Sequence, residues 1–198
     1  MHITNGSLKF IAAMFLAIFT AYAGYAQECG YIYVSPTGAG SGVAGTRDTP
    51  ADLNYGLSLV DAQNSHLRIA HGDYTLSQSL LLSDGITLEG GFRATDWVKT
   101  NSDNTVFNRT TDNYDQVNAA LTGIHCENIS AFSIRDITIN VEDAPGNGVS
   151  VYGIYVNGCT QYTISRCIVN TGAGSDGSTG TPGANGMSGA NGTDGNTG

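Results

Sequence analysis

GIHCENISAFSIRDITIN, residues 123–140, and GIYVNGCTQYTISRCIVN, residues 153–170, align without a gap at an offset of 30. Ile124 matches Ile154, Phe132 matches Tyr162, Ile134 matches Ile164 and Asn140 matches Asn170. Cys126 falls on Val156, Ile129 on Cys159 and Ile137 on Cys167. Each segment holds two or three short strands separated by turns, too little to bury its own apolar side. Stacking one copy on the next places like residues in register about 4.8 Å apart, with backbone hydrogen bonds running along the stack. Such an alignment predicts coils of a parallel β-helix with Ile124, Ile134, Ile137, Ile154, Ile164 and Cys167 facing inward.

Upstream, Leu67–Ala70, Ser79–Leu82, Ile86–Leu88 and Thr105–Phe107 are short apolar runs bounded by Gly, Asp, Asn or Ser, as frequent short strands require. Tyr31–Val34 reads as a further strand, being aromatic and β-branched. Between these regions, Thr49-Pro50-Ala51-Asp52 reads as a helix start, with Thr49 as N-cap and Pro50 at the first helical position. Leu53, Leu57 and Val60 then follow at helical spacing. The fold expected is all-β: a right-handed parallel β-helix solenoid over residues 27–170, with strand 31–34 and a capping helix over 50–62 at its N-terminal end. An irregular Gly-rich tail over 171–198 follows it.

The 30-residue repeat resembles the parallel β-helix repeats of pectate-lyase-like proteins. The order Tyr33-Val34-Ser35-Pro36-Thr37-Gly38, Thr49-Pro50, Ile69-Ala70-His71-Gly72-Asp73-Tyr74 and Ile86-Thr87-Leu88-Glu89-Gly90-Gly91-Phe92, with Trp97 after it, is similar to the cap and first coils of exported β-helix proteins of bacterial surfaces. The resemblance implies a fold. That fold carries lyases, hydrolases, adhesins and passenger domains alike, so it implies no single activity.

The first 26 residues have the pattern of a cleavable export signal: Lys9, an apolar run from Phe10 to Ala21 broken only by Thr20, and Gly24-Tyr25-Ala26 before the expected cut. The run is short for a membrane span. Cys29 follows Ala26-Gln27-Glu28 rather than the small residues of a lipid-attachment site. The mature protein is therefore expected to be secreted or held on the outer cell surface, with no membrane insertion once the signal is gone. Without Lys9, 17 acidic residues face 7 basic ones. This balance argues against nucleic acid and anionic membrane as partners and leaves room for divalent cations, calcium included, although no cofactor signature is present. Four cysteines, Cys29, Cys126, Cys159 and Cys167, allow three disulfide connectivities in an exported chain. They lack zinc-type spacing, and the last three stand where Val or Ile would serve.

From Gly174 to Gly198 every third residue is glycine, with only small or polar residues and Met187 between. The period is that of collagen, but Pro182 is its one imino acid and no Lys or Arg accompanies it. A calcium-binding roll would need a bulky apolar residue in each repeat. An extended segment leaving the solenoid at a coil corner is the expected state.

No catalytic constellation emerges. The one lysine of the mature chain, Lys99, falls in a loop, and Arg135 and Arg166 flank Asp136 on what reads as a solvated coil face. Asp61, Asp73, Asp84 and Asp96 sit at turns, where aspartate serves the backbone. His71 and His125 stand alone, as surface or packed turn residues. Asn108-Arg109-Thr110, Asn128-Ile129-Ser130 and Asn191-Gly192-Thr193 fit the glycosylation sequon and are read as composition. The function expected is that of a non-catalytic surface or adhesin-type protein whose scaffold binds carbohydrate or protein. The alternative is the front part of a polysaccharide lyase or glycoside hydrolase with its active site on later coils. The array has no Leu, Ile, Val or aromatic residue to cover Ile164, Cys167 and Val169, so the 198 residues are expected to be part of a longer chain and to be marginal or aggregation-prone when expressed alone.

Overall fold

A computed structural model describes residues 30–100, 103–195 and 198. The export signal assigned to 1–26, and Cys29, lie outside them. The chain forms a parallel β-solenoid of about four turns. Its strands are β1 (Tyr31–Ala39), β2 (His66–Ala70), β3 (Gly72–Leu76), β4 (Leu80–Leu81), β5 (Thr87–Phe92), β6 (Thr105–Arg109) and β7 (Ala120–Glu127). They continue with β8 (Ser133–Arg135), β9 (Ile137–Val141), β10 (Ser150–Asn157), β11 (Thr163–Ser165) and β12 (Ile168–Thr171). Among the described residues one helix, α1 (Leu53–Ser58), follows β1.

Three sheets are visited in rotation. The first has the order β1-β2-β5-β8-β11, the second β3-β6-β9-β12 and the third β4-β7-β10. Every strand pairing between neighbours in these sheets is parallel. Inward positions form apolar columns: Ile32, Leu67, Leu88, Ile134 and Ile164 in the first sheet, and Tyr74, Phe107, Ile139 and Val169 in the second. Leu80, Ile124 and Ile154 form the column of the third. Each fully buried Leu or Ile contributes roughly 1.5–3 kcal/mol of transfer free energy, so the columns outweigh the weak propensity of three-residue strands.

The 30-residue repeat is realised in the register. Ile154 pairs with Ile124, Ile164 with Ile134, and Asn170 with Asn140. Phe132 and Tyr162 stack with ring centroids 5.1 Å apart and planes 8° from parallel. The turns repeat as well. Asn128, Ala131 and Asp136 have φ of 52°, 58° and 56°, and Gly158, Gln161 and Arg166 thirty positions on have 63°, 54° and 52°. Left-handed corners at fixed places let the chain turn between sheets without breaking the stack.

Of the expected inward residues, Ile124, Ile134 and Ile137 are buried, whereas Ile154 and Cys167 are half-buried and Ile164 is 38% exposed. The last three occupy inward columns, but no described strand lies on their far side. The expected helix is shorter than predicted and starts later. Ala51 is held extended by bridges to Val34 and Ala39, so residues 50 and 51 cannot be helical. Asp52 rather than Thr49 is the N-cap, its Oδ1 accepting the Tyr55 N–H at 2.7 Å. Thr49 instead shares a hydroxyl bond with Thr46 and donates to the Val43 carbonyl. Leu53 and Gly56 are buried, the latter beneath Val34 and Ile32 of β1. Strand β3 has no counterpart in the sequence reading, because Gly72 and Asp73 resemble a turn. Alternation of inward Tyr74 and Leu76 with outward Thr75 reveals it.

Residues 172–176 run beside the loop that follows β9. Gly172 N–H donates to Val141 O, Ala144 N–H to Ala173 O, and Ser175 N–H to Val149 O, at 2.8, 2.8 and 2.9 Å. The glycine array therefore leaves at the corner where the preceding coil carries its own loop, as the alignment predicts. From Gly177 onward a Cβ at the described glycines would meet nothing within 4 Å.

Candidate functional site

The outward face of the third sheet carries the chemistry. In β4, Leu80 points in, so Leu81 points out and is 70% exposed. Register places His125 of β7 over Leu81, and Tyr155 of β10 over His125. The His125 and Tyr155 rings lie 5.0 Å apart, and Tyr152 meets Tyr155 edge-on at 5.5 Å. Tyr152 is 39% exposed. The face thus presents a floor of one aliphatic and three ring side chains over a groove of about 390 Å³.

Polar groups stand at the sides. Glu127, two residues beyond His125 and so on the same face, lies 3.4 Å from its Nε2 and accepts from Asn157 Nδ2 at 3.2 Å. Opposite, the connection between β6 and β7 raises a wall containing Asp115 and Asn118. Asp115 Oδ1 accepts the Val117 and Asn118 N–H groups at 3.0 Å, and Oδ2 accepts Asn118 Nδ2 at 2.7 Å. The Asn118 backbone bond first, then its side-chain bond, holds the Asp115 carboxyl below the usual range. It is ionised at neutral pH. Ser79, also in the groove, donates its hydroxyl to Thr122 O at 2.8 Å.

The wall is anchored from beneath by Arg109, which is fully buried at the inward end of β6. Its Nε donates to Thr122 O at 3.0 Å. Nη1 donates to Leu76 O, Asp112 O and Thr110 O, and Nη2 to Asn113 O at 3.1 Å. The guanidinium thus binds the loop carbonyls of Thr110, Asp112 and Asn113 and ties them to Leu76 and Thr122 of the adjacent strands. All its donors go to main-chain oxygens, which share the charge without a buried carboxylate.

The residues singled out in the sequence are distributed as follows. Lys99 donates to Glu89 and Asp136, and Arg166 Nη2 donates to Asp136 Oδ2 at 2.7 Å. His66 Nε2 lies 2.8 Å from Glu89. This ion-pair chain links the loop after β5 to the β8–β9 and β11–β12 corners and is remote from the groove lining. Lys99 is occupied as a donor between two carboxylates. Arg135, in register with Glu89, lies on the outward side of the first sheet. Burial alone would raise the pKa of Glu89, but the Lys99 and His66 bonds outweigh it and leave it lowered; the pKa of Asp136 is lowered, first by Arg166. Asp61, Asp84 and Asp96 accept main-chain N–H groups of Gln63 and Asn64, of Ser130, and of Val98. Asp73 is an exception to the turn reading: it stands in β3 and accepts from Asn108, which accepts from Asn140, which accepts from Asn170. His71 is packed at a turn, 3.5 Å from Asp103.

Cys126, Cys159 and Cys167 are free thiols, and burial pushes Cys126 up to about 12. Among the described residues no group of three His, Cys, Asp or Glu side chains is placed to hold a metal ion, and no helix is long and apolar enough to cross a membrane.

His125 was legible only as an isolated histidine. The groove around it is assembled from residues 79–81, 115–127 and 152–155, which no local pattern unites. Arg109 carried no signal, because its partners are carbonyls and not acidic side chains.

Comparison of the chain with protein-family models, with curated proteins and with solved structures gives no match.

Proposed function

We propose that this is an exported, non-catalytic surface protein of adhesin type whose solenoid presents a carbohydrate-binding groove on its third sheet. The observation that carries this reading is the Leu81–His125–Tyr155 column with Tyr152 beside it, an apolar, ring-lined floor edged by Asp115, Asn118 and Glu127. Saccharides have apolar C–H faces and hydroxyl rims. Exposed tyrosines match the faces at low entropy cost, while carboxylates and amides accept and donate to the rims. The groove is built on strands and walled by a clamped loop, so it is preorganised, which lowers the ordering cost of binding.

The enzymatic alternative, a polysaccharide lyase or hydrolase of pectate-lyase-like type, finds less support. Lys99, its one lysine candidate for a base, is engaged by Glu89 and Asp136, and the Ser79 hydroxyl is spent on a carbonyl. A panel of immobilised glycans probed with the secreted protein, alongside assay of each bound glycan for cleavage or unsaturated product, separates the two. Binding without turnover that is lost in Tyr155→Ala supports the proposal. Turnover, or glycan binding indifferent to Tyr155→Ala, refutes it.

A further inference from the structure

The groove lining contains no Lys or Arg. Arg109, the nearest cation in the wall, lies beneath it with its donors committed to main-chain oxygens. Two carboxylates face the groove instead. Asp115 is held ionised by its turn, and Glu127 is half-exposed at the far edge. The rings of Tyr152 and Tyr155 line the same groove. A uronate or sulfated glycan entering this space would set its anions against these two carboxylates, and His125, the one lining group able to carry a positive charge, already faces Glu127 at 3.4 Å. A protonated amine would find partners of opposite sign in Asp115 and Glu127, with charge-assisted hydrogen bonds to these carboxylates, and attraction to the negative faces of the tyrosine rings. The chain's net charge of −9 draws cations in the same direction.

We infer that the groove selects amine-bearing saccharides over their N-acetylated and uronate counterparts. The inference rests on the glycan-binding reading above and adds the ligand class. It also separates this groove from the polyuronate chemistry that the resemblance to pectate-lyase-like proteins would suggest.

Calorimetric titration of the full secreted chain at pH 6 and low salt tests it, with four probes: β-linked glucosamine tetramer, its N-acetylated form, galacturonate tetramer and tetralysine. The glucosamine tetramer should bind at least ~10-fold more tightly than the acetylated one, with no detectable galacturonate binding. Glu127→Gln should weaken the glucosamine tetramer about 5–10-fold and leave the acetylated one unchanged. Tyr152→Ala should weaken both saccharides by a larger factor than tetralysine, which loses only the attraction of its ammonium groups to the ring face. Both positions are surface-exposed, so circular dichroism should be unaltered. Equal or tighter binding of the acetylated or uronate tetramer overturns the ligand class while leaving a glycan-binding groove. Tetralysine binding as tight as glucosamine, untouched by Tyr152→Ala, reduces the effect to unspecific charge and overturns it too. Failure of every saccharide to bind removes the glycan reading and this inference together.

Discussion

Arg109 shows how one side chain fixes the geometry of a site it does not enter. Its planar fork reaches carbonyls of Leu76, Asp112, Asn113 and Thr122 at once, which the single ammonium of lysine cannot do. Arg109→Lys should therefore destabilise the fold by about 2–4 kcal/mol, because it strands buried carbonyls and leaves a poorly solvated charge. Urea denaturation checks this, and a loss below about 1 kcal/mol would mean that water replaces the guanidinium. Cys126 is the second residue whose chemistry follows from position. Its thiol is pushed up to about 12 by burial first and by Cys159 second. Iodoacetamide at pH 8 should leave Cys126 unmodified in the folded protein and label it once urea is added; mass spectrometry of the peptides reads the result.

Among the elements, the coil corners contain stored strain. Ala131 and Gln161 hold φ near +58° and +54° without being glycine, at equivalent corners of successive coils. A left-handed non-glycine residue costs about 1 kcal/mol and the added freedom of the unfolded glycine chain takes back about 0.4–1 of it, so Ala131→Gly should raise stability by no more than about 0.6 kcal/mol. A fall in the denaturation midpoint would show that the alanine methyl contributes packing that outweighs the strain. The inner glycines work in the opposite sense. A Cβ at Gly123 would lie 2.6 Å from Gly153 O and 3.0 Å from Ile139 Cγ2, so that position is closed to any side chain. Equivalent glycines at 123 and 153 let the third sheet approach the second.

At the scale of the whole molecule, titration below neutral pH acts in one direction. His66 is lowered below 6.5, by burial first, so the unfolded chain binds its proton more readily and stability declines as pH falls below that value. Glu89, Asp136, Asp61, Asp96 and Asp115 are all lowered in the native state. Their contributions are present above the unfolded values of 4.5 and 3.8 and disappear as pH falls through the lower native ones. Thermal midpoints should thus fall modestly from pH 7 to 5 and steeply below about pH 4, with His66→Gln removing the first step. A midpoint that is flat or rises on acidification would contradict the ion-pair chain that joins Lys99, Glu89, Asp136 and Arg166. The outer face of the last described coil, where Ile168 and Val169 are 55% and 45% exposed, adds an apolar patch beside this chain.

The solenoid was written in the sequence because its contacts repeat. A stack of like coils forces like residues into register, so Ile124 over Ile154, Ile134 over Ile164 and Asn140 over Asn170 can be read by alignment alone. The helix starts three residues later than Thr49-Pro50 implies, because those residues satisfy local rules while Ala51 is claimed by β1, at Ala39 and Val34, 12 and 17 positions earlier. Strand β3 was hidden because Gly72 and Asp73 look like a turn until Phe107 packs against Tyr74. The groove belongs wholly to the tertiary structure. Its floor draws on three successive coils, with Leu81 from β4, His125 from β7 and both Tyr152 and Tyr155 from β10, and its wall depends on an arginine whose partners are backbone carbonyls, which every residue possesses. Side-chain identity encodes repetition along the stack; the meeting of non-equivalent residues across it is decided only when the coils close.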